Sequence, residues 1–224
     1  MKLFRIKISS WTSSFRYPNV ISGYQPTLSV PPISTVLGLI NSCSGKYLDF
    51  RKIMFGYYFE YEAKTSDLET IYQIELSEKG TQKNTAKSNV INREFLFNNK
   101  LYLYTDSLEI VNYFKKPIYQ VLLGRSGDLA TIEEITECNL KEINNADKIK
   151  GQLVPFSPYH LPGTIQALPQ YFTNTIPRKN LGTMAFSVIP YDVKDFPTNI
   201  TAYRDVIEGK EIDIYLHKIE YDCE

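Results

Sequence analysis

An α+β fold is expected from three observations. Apolar and charged residues alternate along the N-terminus, apolar residues recur at helical spacing behind Pro31-Pro32, and Tyr- and Phe-rich segments return between the helical ones. Leu3, Arg5 and Lys7 alternate with Phe4, Ile6 and Ile8, predicting a first strand over roughly 2–9. After a mixed loop, Pro31-Pro32 starts a helix, because proline's missing N–H has no partner in a first turn anyway. Ile33, Val36, Leu37 and Ile40 form its buried stripe and Gly45 its stop. Met54–Tyr61 reads as a strand, which Thr70–Leu76 extends or pairs with. The polar, aperiodic stretch 78–89 reads as a mobile hairpin tip. Arg93–Thr105 returns as strand, with Asn98-Asn99 as a tight turn. Asp106-Ser-Leu-Glu109 opens a short helix that Lys115, Lys116 and Pro117 close. Tyr119–Leu123 enters, and Leu129–Ile135 leaves, a glycine-bearing loop as strands.

The order β, α, β, insertion, β, α, β is that of a ferredoxin-like or RRM (βαββαβ) domain. It is assigned to residues 1–135, with a basic β-hairpin inserted at about 77–93. Residues 136–224 are expected to form a mostly β subdomain ending in a strand near 211–219; seven of the twelve prolines lie between Pro155 and Pro197.

The 224 residues carry 25 Lys+Arg against 25 Asp+Glu, but unevenly. Residues 1–58 hold seven basic residues and one acid, residues 60–78 six acids and one Lys, and residues 79–93 four basic residues and no acid. The tail from Asp205 holds seven acids and two Lys. Basic segments of this kind suit phosphates. The 17 Tyr and 12 Phe suit a large core, stacking surfaces, or both. The longest apolar run, near Val36–Ile40, is too short for a bilayer, and the N-terminus lacks the core of a signal peptide. Cys43, Cys138 and Cys223 form no CxxC pair, so no zinc site or disulfide framework is expected and a reducing cytoplasm is.

Three stretches, Phe15-Arg-Tyr-Pro18, Pro31-Pro-Ile-Ser-Thr-Val-Leu-Gly-Leu39 and Leu122-Leu-Gly-Arg-Ser-Gly127, stand in this order on that topology. Together they resemble the fifth CRISPR-associated (Cas) family, RAMP-type subunits of type I Cascade, with subtype I-B the nearest branch. The resemblance covers residues 1–135 well and the rest loosely. It implies a protein that caps the 5′ handle of the CRISPR RNA in antiviral defence and contacts the Cascade large subunit and the backbone subunits. Target DNA would be met only indirectly, and no membrane is involved. The inserted hairpin would be the family's thumb.

The residues themselves allow such a role. A single-stranded handle needs phosphate partners, stacking surfaces and base-edge groups. Ser34 and Thr35 lie in a first helical turn and either anchor a phosphate or cap the helix. Gly38, costly in a helix by about 1 kcal/mol, permits close approach by RNA or packs on the sheet. Arg16 and Tyr17 pair a guanidinium with a ring, either for RNA or as a rim contact. Trp11 is assigned to the core or to a contact surface. Gly124, Arg125 and Ser126 form a turn whose N–H groups and cation suit an anion. Lys83, Lys87 and Arg93 line the basic hairpin, as a solvated loop or an arm that orders on RNA.

No catalytic residue, metal or cofactor is assigned. Metal-independent RNA cleavage needs an acid and a base, for which His serves best near neutral pH, and only His160 and His217 are present. Both read as structural, although Tyr57, Tyr58 or Tyr61 beside a Lys leaves a Tyr/Lys ribonuclease site open. A ferredoxin-like interaction module without nucleic acid is the third alternative. No HxxxH, DxD or GxSxG motif occurs.

Overall fold

The computed structural model describes residues 1–18, 20, 23–81 and 87–219. In chain order the elements are β1 (Lys2–Ser13), β2 (Tyr24–Gln25), α1 (Ile33–Ser44), β3 (Met54–Glu60), β4 (Ala63–Gln73), β5 (Lys87–Thr105), α2 (Leu108–Lys115) and β6 (Ala130–Asn139). They continue as β7 (Lys141–Ile143), β8 (Gln152–Pro155), β9 (Thr164–Phe172), β10 (Asn180–Ile189), β11 (Ala202–Ile207), β12 (Lys210–Ile214) and β13 (His217–Lys218).

The main sheet runs β13-β3-β5-β1-β6. β5 lies between β1 and β3 and pairs antiparallel with both, and β1 pairs antiparallel with β6. Each helix therefore joins two strands that flank a third. α1 is buried through Ile33, Val36, Leu37 and Ile40, the expected stripe, and also through Leu39 and Cys43. The wider burial arises because α1 meets α2 and also β9. Gly45 ends the helix in the left-handed region, φ 66°. α2 is capped by Ser107, whose hydroxyl accepts the Ile110 N–H at 3.4 Å, one residue later than the cap read from the sequence.

Two expectations need correction. Asn98-Asn99 is not a turn: β5 passes straight through it. Ser10 stays opposite Asn99 and Thr12 opposite Phe97, and Asn98 absorbs a kink at φ 51°, which Asn tolerates. The chain reverses instead between β4 and β5, which pair from Ala63↔Phe97 to Gln73↔Lys87 as a long two-stranded ribbon. The segment Tyr119–Leu123 is not a strand; it makes only a bridge, Leu122↔Leu129, because the tight loop at 124–128 binds it back through Leu123 N–H to Asp128 O at 2.9 Å.

The C-terminal half builds two small sheets, β8-β10-β9 and β12-β11-β7. The first contributes Leu153, Leu168, Tyr171, Phe186 and Val188 to the same apolar cluster as α1. The second covers the opposite face of the main sheet. Ile207, Ile212 and Ile214 bury Leu3, Tyr58, Tyr102 and Tyr104 there. At the β11–β12 turn Glu208 meets Lys100 at 2.7 Å, Tyr102 Oη at 2.9 Å and Lys7 at 3.2 Å. The Lys100 hydrogen bond, with those of Tyr102 and Lys7, holds the Glu208 carboxyl down to about 2.

Candidate nucleic-acid interface

The expected site residues fall in three places. The first is the loop after β1. Phe15 is buried there and donates its N–H to Thr27 Oγ1 at 2.8 Å, leaving Arg16 exposed beside it. The Tyr17 hydroxyl accepts a 2.7 Å hydrogen bond from Gln166, which fixes this loop to β9. Trp11, assigned to core or contact, is 74% exposed and lies 5.8 Å from the Phe97 ring.

The second place is the glycine turn, and it packs directly on the first. Gly124 has φ +117°, and a Cβ there would lie 2.9 Å from the Ser14 carbonyl oxygen. Only glycine lets the two loops approach so closely. Asp128 organises the contact from a fully buried position. It accepts hydrogen bonds from Thr12 Oγ1 at 2.8 Å, Ser14 N–H at 3.2 Å, Arg125 N–H at 2.9 Å, and the Arg125 guanidinium at 3.0 and 2.8 Å. Burial pushes the Asp128 carboxyl up, but the Arg125 guanidinium and the other donors outweigh it and hold the carboxyl below its ordinary value. Arg125 also sits 3.9 Å from Glu69, which pairs closely with Arg93. Arg93 and Arg125 thus share a shallow recess with Asp67 and Glu69, and their charge is matched by carboxylates. Arg125 acts here as the brace of its own loop. Ser126 is exposed at the tip of the turn.

The third place is α1. Neither Ser34 nor Thr35 caps the helix: the cap position is Pro32 and no side chain closes it. Both side chains are half-buried, and Gly38 is exposed with nothing within 4 Å of the place a Cβ would take, so it does not pack on the sheet. Ser34, Gly38 and Asn41 instead form one wall of a cleft of about 370 Å³. Its other walls are Lys46 and Tyr47 after the helix, Tyr119 before the glycine turn, and the β9–β10 loop with Arg178. Sequence reading missed these four. Lys46-Tyr47 repeats the cation–ring pairing seen in Arg16-Tyr17, which is a signal present in the sequence. Arg178 and Tyr119 reach α1 only through tertiary packing.

This cleft and the Arg125 recess share no lining residue, so the expected residues do not close into one cradle. β9 connects them in part, touching the Tyr17 loop at Gln166 and α1 at Tyr171, whose hydroxyl accepts from Asn41 Nδ2 at 2.6 Å. On the ribbon, Lys87 is exposed and lies 3.4 Å from Glu75; Lys83 falls outside the described residues.

The histidines stand apart from all three places. His217 is buried against Phe55, Tyr57 and Tyr215, and burial lowers its imidazole to about 3. Burial likewise pushes the Tyr57 and Tyr58 phenols well up. His160 is exposed on its loop, with Nδ1 2.8 Å from the Pro158 carbonyl oxygen. Among the described residues no group of three or more His, Cys, Asp or Glu is placed to hold a metal ion, and no helix is long and apolar enough to cross a membrane.

No protein-family model matches the chain, and no curated protein matches it. Solved structures do. A chain of a CRISPR RNA-guided surveillance complex aligns with a TM-score of 0.57 at 16% identity, over 89% of this chain and 91% of that one. A chain of the type III-B Cmr-beta complex bound to cognate target RNA aligns with a TM-score of 0.49 at 10% identity, over 88% and 86%. A CRISPR protein from Archaeoglobus fulgidus aligns with a TM-score of 0.47 at 10% identity, over 96% and 99%. The first of these shares its fold with this chain over nearly the full length of both.

Proposed function

We propose that this chain is a non-catalytic RNA-binding subunit of a type I CRISPR surveillance complex, a RAMP-type protein of the fifth Cas family with a ferredoxin-like domain. In this role it holds the 5′ handle of the CRISPR RNA and joins the large subunit to the backbone filament in the cytoplasm. The observation that carries the proposal is the shared fold with a chain of an RNA-guided surveillance complex, across about nine-tenths of each chain. It is supported by the three family-like stretches; Ser14, just before the first, lies against Gly124 of the third and donates its N–H to Asp128, just after it. Arg16, Tyr17, Ser34, Thr35 and Gly38 are the proposed handle contacts, and Gly124, Arg125 and Ser126 shape the loop beside them. Arg93 and Lys87 lie along the ribbon that would reach the first backbone subunit. Non-catalysis is proposed because His217, Tyr57 and Tyr58 are buried and so cannot meet a ribose hydroxyl, while the more open His160 and Tyr61 line neither the α1 cleft nor the Arg125 recess.

The test is to isolate the tagged chain from cells that express its natural partners and to sequence whatever RNA accompanies it. RNAs of one uniform 5′ sequence, held with larger subunits, are expected; recovery of the chain without RNA would overturn the proposal. Incubation with repeat RNA and a chelator tests the second half: discrete cleavage at one position would make the chain a processing ribonuclease instead.

A further inference from the structure

The cleft beside α1 combines charge, flat rings and size in a way that the Arg125 recess does not. We infer that it seats one or two nucleotides of single-stranded RNA. A base would lie against the exposed rings of Tyr47 and Tyr119, and the flanking phosphates would be held by Lys46 and Arg178. The inference rests on the proposal above that RNA is what this fold binds, and it names the place and the contacts.

Charge is the first reason. Lys46 and Arg178 line the cleft and no carboxylate does. Among the described residues neither cation has a carboxylate within 4 Å, whereas Arg125 and Arg93 both do. Two uncompensated cations beside one small cleft favour an anion. The second reason is the rings. Tyr47 is 40% exposed and stacks on Tyr171 at 4.8 Å with a 17° tilt. Tyr171 is itself fixed: its hydroxyl accepts from Asn41 at 2.6 Å and donates to Leu48 O at 3.0 Å, and Phe50 meets it edge-on at 5.3 Å. A base added to this column would find a platform already ordered, so little side-chain freedom is lost on binding. Tyr119 is 63% exposed, yet its backbone is held to α1 through a 3.3 Å bond from its N–H to Ser42 O. Size is the third reason: about 370 Å³ is the scale of a nucleotide and far too small for a duplex. Gly38 keeps one wall flat, with nothing within 4 Å of the space a Cβ would occupy. An acidic peptide would use the cations but would gain nothing from the stacked rings, so RNA is the better fit.

The experiment is fluorescence anisotropy on the intact chain with labelled decauridine, and with a decamer of the same ribose-phosphate backbone lacking bases. Tyr119→Ala is expected to weaken decauridine about 5- to 160-fold, the range of one lost stacking contact, while Tyr119→Phe binds as the parent does. The abasic decamer should not distinguish the parent from Tyr119→Ala. The double variant Lys46→Ala/Arg178→Ala should flatten the slope of log K against log salt by about 1.4, roughly 0.7 per phosphate contact on a single strand. All three substituted side chains are at the surface, and an unchanged melting temperature confirms that each variant folds. Three results would overturn the inference: no decauridine binding by the parent, equal binding by parent and variants, or displacement of RNA by decaglutamate with no effect of Tyr119→Ala. If the co-purified complex still carries uniform RNA while these variants bind normally, the cleft is excluded and the proposed function stands. A complex without RNA removes the proposed function itself.

Discussion

At the scale of single residues, charge pairing decides which candidates are available to a ligand. Arg125 spends its guanidinium on Asp128, which is buried and has no route to water. Arg125→Ala should therefore destabilise the fold by about 1–3 kcal/mol, the cost of leaving a buried acceptor under-satisfied, and a fall in melting temperature checks this. Gly38→Ala has the opposite sign. The site is open and helical, so alanine should stabilise by about 1 kcal/mol while placing a methyl group in the cleft. A variant that melts higher but binds RNA more weakly would separate the two effects. His217 gives a pH signature. Its folded value of about 3 lies below the ordinary 6.5, so below pH 6.5 the unfolded chain takes up a proton that the folded chain refuses. The stability difference is absent above 6.5 and grows as pH falls toward 3, with a slope of at most about 1.4 kcal/mol per pH unit. His217→Phe, which keeps a ring among Phe55, Tyr57 and Tyr215, should flatten the melting temperature over that window.

At the scale of elements, periodicity was a sound guide where one face packs and a poor one where both faces are wet. β1 and α1 were legible because burial imposes a period of 2 or 3.6 on them, and β3, buried on both faces, was legible from its Tyr and Phe content. β4 was legible only at its end, from Thr70: all but one of its eleven residues are exposed, so nothing selects a pattern along it. A different cause misplaced the turn at Asn98-Asn99, where Asn99 is fully buried: a turn-prone pair can sit inside a strand when long-range ladders on both sides hold it. The ribbon carries Leu68, Tyr72, Ile74, Leu76 and Val90 exposed, outside every buried cluster. Replacing residues 71–89 by Asn-Gly should thus leave the melting temperature nearly unchanged, since an isolated two-stranded ribbon adds little stability. If the ribbon is the arm that meets a neighbouring subunit, the shortened chain should fail to co-purify with it.

At the scale of the whole molecule, the two faces of the main sheet meet different fates. One is packed under the helices; the other, rich in tyrosine, is closed by β11 and β12 rather than left for a ligand. That closure was not legible, because the residues involved lie some 100 positions apart, as in Tyr102 and Glu208, 106 apart. The candidate site was legible in part for the same reason. Ser34 and Gly38 announced themselves on a helix, whereas Arg178 joined them only through the packing of β9 on α1. The Glu208 bonds hold the closing turn. Its folded value of about 2 lies below the ordinary 4.5, so their contribution is full above pH 4.5 and fades as pH falls toward 2. Glu208→Gln should remove that acid-side loss. Because Glu208 is nearly half exposed, its effect at neutral pH should stay below about 1 kcal/mol in chemical denaturation.

The late arrival of that cover matters during synthesis. Tyr104 leaves the ribosome about 110 residues before Ile214, an interval of roughly 5–20 s at ordinary elongation rates. For that time Leu3, Tyr58, Tyr102 and Tyr104 form a greasy plate with no lid, and nascent chains are at their most adhesive. A gene cut after codon 135 would make this condition permanent, and its product should collect in the insoluble fraction while the full chain stays in the supernatant.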